Sequence, residues 1–168
     1  MEPFKASFAP VTDSHTRLLI LGSLPGEVSL ARAQYYGHPQ NQFWRLMVRV
    51  LSAELPSEDY ESRLATLRRA GVGLWDVVRV ARRVGSLDAA IRDHEPNPLA
   101  EFAATLPALR AIAFNGGAAA AIGRRQLAGL EGVALIDLPS SSPAFTMAFA
   151  RKAERWDPLR AYLAPQPS

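Results

Sequence analysis

The chain has 168 residues, 48% hydrophobic and 21% charged, with a net charge of +3, a balance that suits one compact globular domain. Cysteine is absent and the three histidines, His15, His38 and His94, lack the close spacing of a zinc site, so disulfides, thiolate catalysis, a Cys-held iron–sulfur cluster and a structural metal are excluded or unexpected. With no apolar run of about 18 residues, and with Met1 to Lys5 lacking a basic stretch followed by an apolar one, neither a membrane span nor a secretory signal is expected, and the cytoplasm is the expected location.

In chain order, four short apolar runs read as buried strands: residues 18–22 (LLILG), 72–78 (VGLWDVV), 110–115 (RAIAFN) and 133–138 (VALIDL). Helical patterns lie between and after them. Residues 40–53 place Phe43, Met47, Val50 and Leu51 on one face. Residues 57–70 open with Ser57-Glu58-Asp59, a good cap and dipole partner. Residues 97–106 have Asn97 to cap and Pro98 in the first turn. Residues 116–127 are rich in alanine, residues 145–163 form a final helical stretch broken near Pro158, and the tail from Pro165 to Ser168 is expected to fray. No repeat or linker divides the chain, so residues 1–168 form a single domain with an ordered core over about 10–164.

Strands alternating with helices imply an α/β fold whose parallel sheet is covered on both faces. Ligands bind such sheets at the carboxyl ends of the strands. The segments in that position are Ser23-Leu24-Pro25-Gly26, Asn115-Gly116-Gly117 and Pro139-Ser140-Ser141-Ser142-Pro143. All are small, polar or rich in Gly and Pro.

Four segments carry a family resemblance. They are Gly22-Ser23-Leu24-Pro25-Gly26 followed by Tyr35-Tyr36-Gly37-His38-Pro39-Gln40-Asn41-Gln42-Phe43-Trp44; Gly73-Leu74-Trp75-Asp76-Val77 with Gly85-Ser86-Leu87-Asp88; Phe114-Asn115-Gly116; and Leu138-Pro139-Ser140-Ser141-Ser142-Pro143-Ala144. In this order they resemble the uracil-DNA glycosylase superfamily, in particular its hypoxanthine-DNA glycosylase branch, over about residues 18–156. The resemblance implies a three-layer α/β/α sandwich with a four-stranded parallel sheet. It also implies monofunctional removal of a deaminated base, foremost hypoxanthine, from DNA in base excision repair, without metal or organic cofactor, by a monomer. Leu24 stands where much of the superfamily has a water-activating Asn or Asp, and the second loop lacks the histidine of uracil-specific members. Alternatives are a uracil- or mismatch-specific glycosylase on the same fold, a non-catalytic damaged-DNA or nucleotide-binding module, and a flavodoxin-like nucleotide binder.

The resemblance maps the essential Asn of the hypoxanthine branch onto Asn41, whose amide can orient a water and stabilise developing charge; an Asn before a helix is equally a cap. Asn115 offers a donor and an acceptor to the edge of an extruded base, or is a turn residue. Tyr36 aligns with the family aromatic that stacks on the base, or is a loop aromatic. Ser23, Gly26, Ser140, Ser141 and Ser142 are candidates to grip phosphates or the base. Phe145 or Met147 is a candidate wedge into the gap that the base leaves, or starts a buried helix face. The cations are 17 Arg against two Lys, and the clusters Arg79-Arg82-Arg83 and Arg151-Lys152-Arg155 are candidate phosphate contacts or solvated faces. Among carboxylates, Glu27 is a candidate to position water or sugar, Asp76 a partner of Arg79 or a cap, and Asp88 a turn residue; His38 reads as holding its loop.

Overall fold

The computed structural model describes residues 4–55 and 59–165. Among the described residues the elements run in the order β1 (Phe4–Ala6), β2 (Leu18–Gly22), α1 (Glu27–Arg32), α2 (Phe43–Leu51), α3 (Tyr60–Arg69), β3 (Val72–Asp76), β4 (Val78–Arg82), β5 (Arg92–Pro96), α4 (Leu99–Ala103), β6 (Ala111–Asn115), α5 (Gly117–Leu127), β7 (Ala134–Leu138) and α6 (Phe149–Trp156), with 3-10 turns at Asp88–Ala90 and Asp157–Tyr162. The four expected strand runs form the main sheet, in the order β3-β2-β6-β7 and wholly parallel. Because successive residues of a strand point to opposite faces, β2 sends Leu18 and Ile20 into one core and Leu19 and Leu21 into the other. The first core takes Phe43, Leu46, Met47 and Val50 of α2, Leu64 and Leu67 of α3, and Ala153 and Trp156 of α6. The second takes Leu99 and Ala103 of α4 and Ala119 and Leu127 of α5. Helices on both faces of a buried parallel sheet make the three-layer α/β/α sandwich. No helix among the described residues is long and apolar enough to cross a membrane.

The structure corrects several local expectations. The run 72–78 is two strands: after Asp76 the chain turns, and Val78–Arg82 leaves to build a second, antiparallel sheet in the order β1-β4-β5. That sheet has little apolar signature, since all five residues of β5 are exposed. Helix α1 was not expected. Asn97 caps nothing; its buried amide donates to Asp76 O (2.7 Å) and Ser7 Oγ (3.2 Å), tying the end of β3 to the start of the chain, while Gln126 Oε1 accepts from Leu99 N (3.0 Å). Asp59 caps α3 by accepting from Ser62 N (3.2 Å). Ser57 and Glu58 lie outside the described residues, as do residues 166–168 of the expected frayed tail. The last helix starts at Phe149, so residues 145–148 are loop.

Helix α5 lies against the sheet at Gly123, where an added Cβ would overlap the ring of buried Phe114. Overpacking of this kind costs about 1–3 kcal/mol. Gly123→Ala is therefore expected to be destabilised by about that amount despite the better helix propensity of alanine, which urea unfolding will measure as a lower midpoint.

Candidate active site

Three loops leave the carboxyl ends of β2, β6 and β7 and meet around a cleft of about 400 Å³. It is lined by Ser23 to Gly26 of the first loop, Tyr36, His38 and Asn41 before α2, Asp76, the Ser86 to Asp88 segment, Asn115, and Ser140 to Ala144. The strand-end rule thus brings together most of the expected residues. Phe145, Met147 and Arg151 lie beyond this lining.

Asn41, Ser141 and Asn115 form one network. Asn41 Oδ1 accepts from Phe43 N (2.9 Å), at the first residue of α2, and from Ser141 Oγ (2.8 Å). Ser141 Oγ accepts from Asn115 Nδ2 (2.9 Å), and Asn115 Oδ1 accepts from Ser141 N (2.9 Å). The N-cap position of α2 is Gln42, not Asn41; Asn41 instead makes a local turn with Phe43 N, and that N–H fixes the amide with its oxygen inward. Among the described residues nothing accepts from Asn41 Nδ2, which remains a donor for the cleft. Asn115, only 7% exposed, spends one donor and one acceptor on positioning Ser141. That leaves it one of each.

Tyr36 adopts a left-handed backbone (φ 54°) and its ring stacks on Phe43 at 4.0 Å and 23°. Phe43 itself is core, as its helix spacing implies. The Tyr36 hydroxyl is buried without a hydrogen-bond partner among the described residues; burial, then the nearby Asp76 charge, raises its pKa. Gly22 keeps this corner open: a Cβ there would lie 2.7 Å from Asp76 Oδ1 and 3.1 Å from the Tyr36 hydroxyl.

Three carboxyl groups line the cleft. Glu27 is exposed and pairs with Lys5 Nζ (3.0 Å), which lowers its pKa. Asp88 Oδ1, at the first residue of the 3-10 turn, accepts from Ser23 Oγ (2.5 Å). Asp76 does not meet Arg79, which pairs with Glu95; it closes β3 at 4% exposure, with Oδ2 lacking a hydrogen-bond partner among the described residues. Burial, then the Asp88 charge, push its pKa up to about 7 against the pull of Arg83. Sequence reasoning gave Asp76 only a bond to Arg79 or a cap. The signal that marks it is its place as the last residue of a wholly buried parallel strand.

The basic clusters divide. Arg83 is fully buried and donates to Gly85 O (2.9 Å) and Pro25 O, so it clamps the first loop and touches no solvent or phosphate. Lys152, 1% exposed, donates to Gln42 Oε1 (2.8 Å) and Ser142 O (3.1 Å) and clamps the second loop. Loop carbonyls need donors once they leave the sheets, and these long side chains supply them. Arg82 lies 3.9 Å from Asp93, and Arg151 and Arg155 stay exposed on α6. His38 Nδ1 accepts from Gln40 N (3.0 Å), holding its own loop as expected. Phe145 is 43% exposed on the loop after Ser142, and Met147 is half-buried there. Leu87, 60% exposed, lines the cleft on the Ser86 to Asp88 side and was not singled out from the sequence.

Comparison with known proteins bears on the family and the fold. Residues 9–164 match the family described as the uracil DNA glycosylase superfamily. The chain is 46% identical over 112 residues to a hypoxanthine DNA glycosylase of Methanosarcina barkeri, and 44% identical over 112 residues to one of Methanosarcina acetivorans; each match covers 67% of this chain and 71% of the relative. A solution NMR structure of a Methanosarcina acetivorans protein assigned to the uracil DNA glycosylases superposes with a TM-score of 0.84 at 38% identity, covering 94% of this chain and 97% of that one.

Proposed function

The chain belongs to the uracil DNA glycosylase superfamily, and we propose from this premise that it hydrolyses the N-glycosyl bond of a deaminated base in DNA, hypoxanthine foremost, with Asn41 as the residue that serves the attacking water. The observation that carries the reading is the cleft at the strand ends, in which Phe43 N and Ser141 Oγ fix the Asn41 amide with its Nδ2 left over as a donor.

The reaction needs a base taken out of the stack, a wall to hold it, stabilisation of the charge and a positioned water. Extrusion costs a few kcal/mol and is cheapest where the base is mispaired, as hypoxanthine is opposite thymine. Tyr36, backed by Phe43, offers the stacking wall, and Asn115 has one donor and one acceptor left for the base edge. Asn41 Nδ2 holds a water by its oxygen without deprotonating it. That suffices where the bond to the sugar is largely broken before water adds. Ser23, Ser140 and Ser142, with the Gly26 backbone, sit at the cleft to meet sugar and phosphates, Phe145 is the exposed wedge, and Arg151 supplies charge toward the DNA backbone. Met147, half-buried, is the poorer wedge. A lyase step would need a free amine near the sugar, but Lys5 pairs with Glu27 and Lys152 is buried against Gln42 and Ser142; this supports simple hydrolysis to an abasic site. A monomer is the simple expectation for a chain of 168 residues, with the nucleoid the expected place of work.

The test is base release from duplexes carrying deoxyinosine, deoxyuridine or no lesion, with abasic sites cut by hot alkali. Cleavage chiefly at deoxyinosine is expected. Cleavage chiefly at deoxyuridine would move the substrate to uracil on the same scaffold, and cleavage of neither would refute the glycosylase reading.

A further inference from the structure

Breaking the C1′–N9 bond of deoxyinosine leaves the bonding electrons on the base. An anionic base is a poorer leaving group than a neutral one, so a proton delivered to the base in the transition state lowers the barrier. Among the described residues the cleft holds one carboxyl group placed for that task. Glu27 is ion-paired and Asp88 accepts from Ser23, whereas Asp76 lies in the cleft wall with its Oδ1 beside the bare Cα of Gly22 and its Oδ2 sealed from solvent and unpartnered, like the Tyr36 hydroxyl next to it.

We propose that Asp76, as a neutral carboxylic acid, donates its proton to the departing base. The proposal rests on the reading of the cleft as the base pocket of a glycosylase. The C1′–N9 electron pair passes to the base and the Asp76 proton to its carbonyl oxygen, so the base leaves as a neutral tautomer and Asp76 becomes a carboxylate. Water forms the new C1′–O bond and loses one proton to solvent, and solvent returns one to Asp76. No net proton is consumed.

The surroundings hold the acid in its neutral form. Asp88 faces it from the 3-10 turn with like charge. Tyr35 and Tyr36 face it from the segment before α2 and bring no positive charge. Arg83, at the end of β4, is the opposing cation, and its guanidinium is committed to the carbonyls of Pro25 and Gly85. His38 and the Glu27–Lys5 pair complete the titratable groups around the cleft. A carboxyl whose pKa lies at about 7 is a donor below that pH and a carboxylate above it, where it would also repel the departing anion. The sign is therefore activity at low pH and loss as pH rises.

The deciding experiment is single-turnover release of hypoxanthine, with saturating enzyme, between about pH 5.5 and about pH 8.5 for wild type and Asp76→Asn, an isosteric change that cannot ionise. Wild type is expected to hold a plateau below about pH 7 and to fall toward tenfold per unit above it; Asp76→Asn is expected to lose about 10²-fold or more at low pH and to show no alkaline fall. A flat wild-type profile, a folded Asp76→Asn within about threefold of wild type, or the same alkaline fall in the variant would overturn the proposal. The wild-type profile needs no variant, so misfolding of Asp76→Asn would not shelter the idea. Wild type that releases no hypoxanthine at any pH refutes the reading of the cleft as a hypoxanthine pocket, on which the proposal rests, whereas release with a flat profile refutes only the acid.

Discussion

Asn41→Ala is expected to slow hypoxanthine release by about 10²–10³-fold under single-turnover conditions, the range found when one preorganised donor is removed from a polarised site. The side chain does two things, and the variants can separate them. Its Oδ1 accepts from Phe43 N and from the Ser141 hydroxyl; loss of such a hydrogen bond costs about 1 kcal/mol of stability, an effect visible in urea but too small to explain the rate. Its Nδ2 is the donor to the cleft. Asn41→Asp keeps the acceptor, and with it the bonds from Phe43 N and Ser141 Oγ, but removes that donor and adds negative charge. It is expected to be nearly as slow as Asn41→Ala while unfolding close to the wild-type midpoint. Asn41→Ala at full rate would remove Asn41 from the mechanism. DNA binding is expected to survive in both variants, because the residues proposed to meet phosphates, Ser140, Ser142 and Arg151, are not changed.

Trp156→Ala carries the largest expected loss of stability, about 3–5 kcal/mol for deletion of a buried tryptophan side chain. Trp156 is fully buried at the end of α6, its ring centroid 6.0 Å from that of Phe43, and its Nε1 donates to Pro139 O (3.0 Å) at the root of the second loop. The substitution opens a cavity between α2 and α6 and orphans a loop carbonyl at once. Urea unfolding should show the lower midpoint. Trp156→Phe, which restores most of the volume but not the N–H, is expected to recover most of the stability. A midpoint for Trp156→Ala close to wild type would mean that the core under the second loop collapses without cost, contrary to the close packing seen here.

Lys152 and Arg83 show why such positions escape sequence reasoning. As letters in Arg151-Lys152-Arg155 and Arg79-Arg82-Arg83 they look like surface charge, and their neighbours are surface charge. Their burial follows from carbonyls contributed by segments far away in sequence: Ser142 with Gln42 for one, Pro25 with Gly85 for the other. Asp76 was hidden similarly. Its carboxyl is secluded because Gly22, Tyr36 and Asp88 crowd around it and Arg79 turns away to Glu95.

The sequence by itself determined the four parallel strands, the helices α2, α3 and α5, and the loops that carry Asn41, Asn115 and Ser140 to Ser142. Each of these is written in local signals: apolar runs for strands buried on both faces, one-sided spacing for helices, and small or polar residues where strands end at a ligand site. The tertiary structure alone decided the second sheet, the inward orientation of the Asn41 carbonyl, the partnering of Asn115 with Ser141, and the isolation of the Asp76 carboxyl. Those outcomes depend on hydrogen-bond partners and on desolvation by residues distant in the chain. A local pattern can mark a residue as polar and well placed, but only its neighbours in space fix which of its atoms are satisfied and which are left to do chemistry.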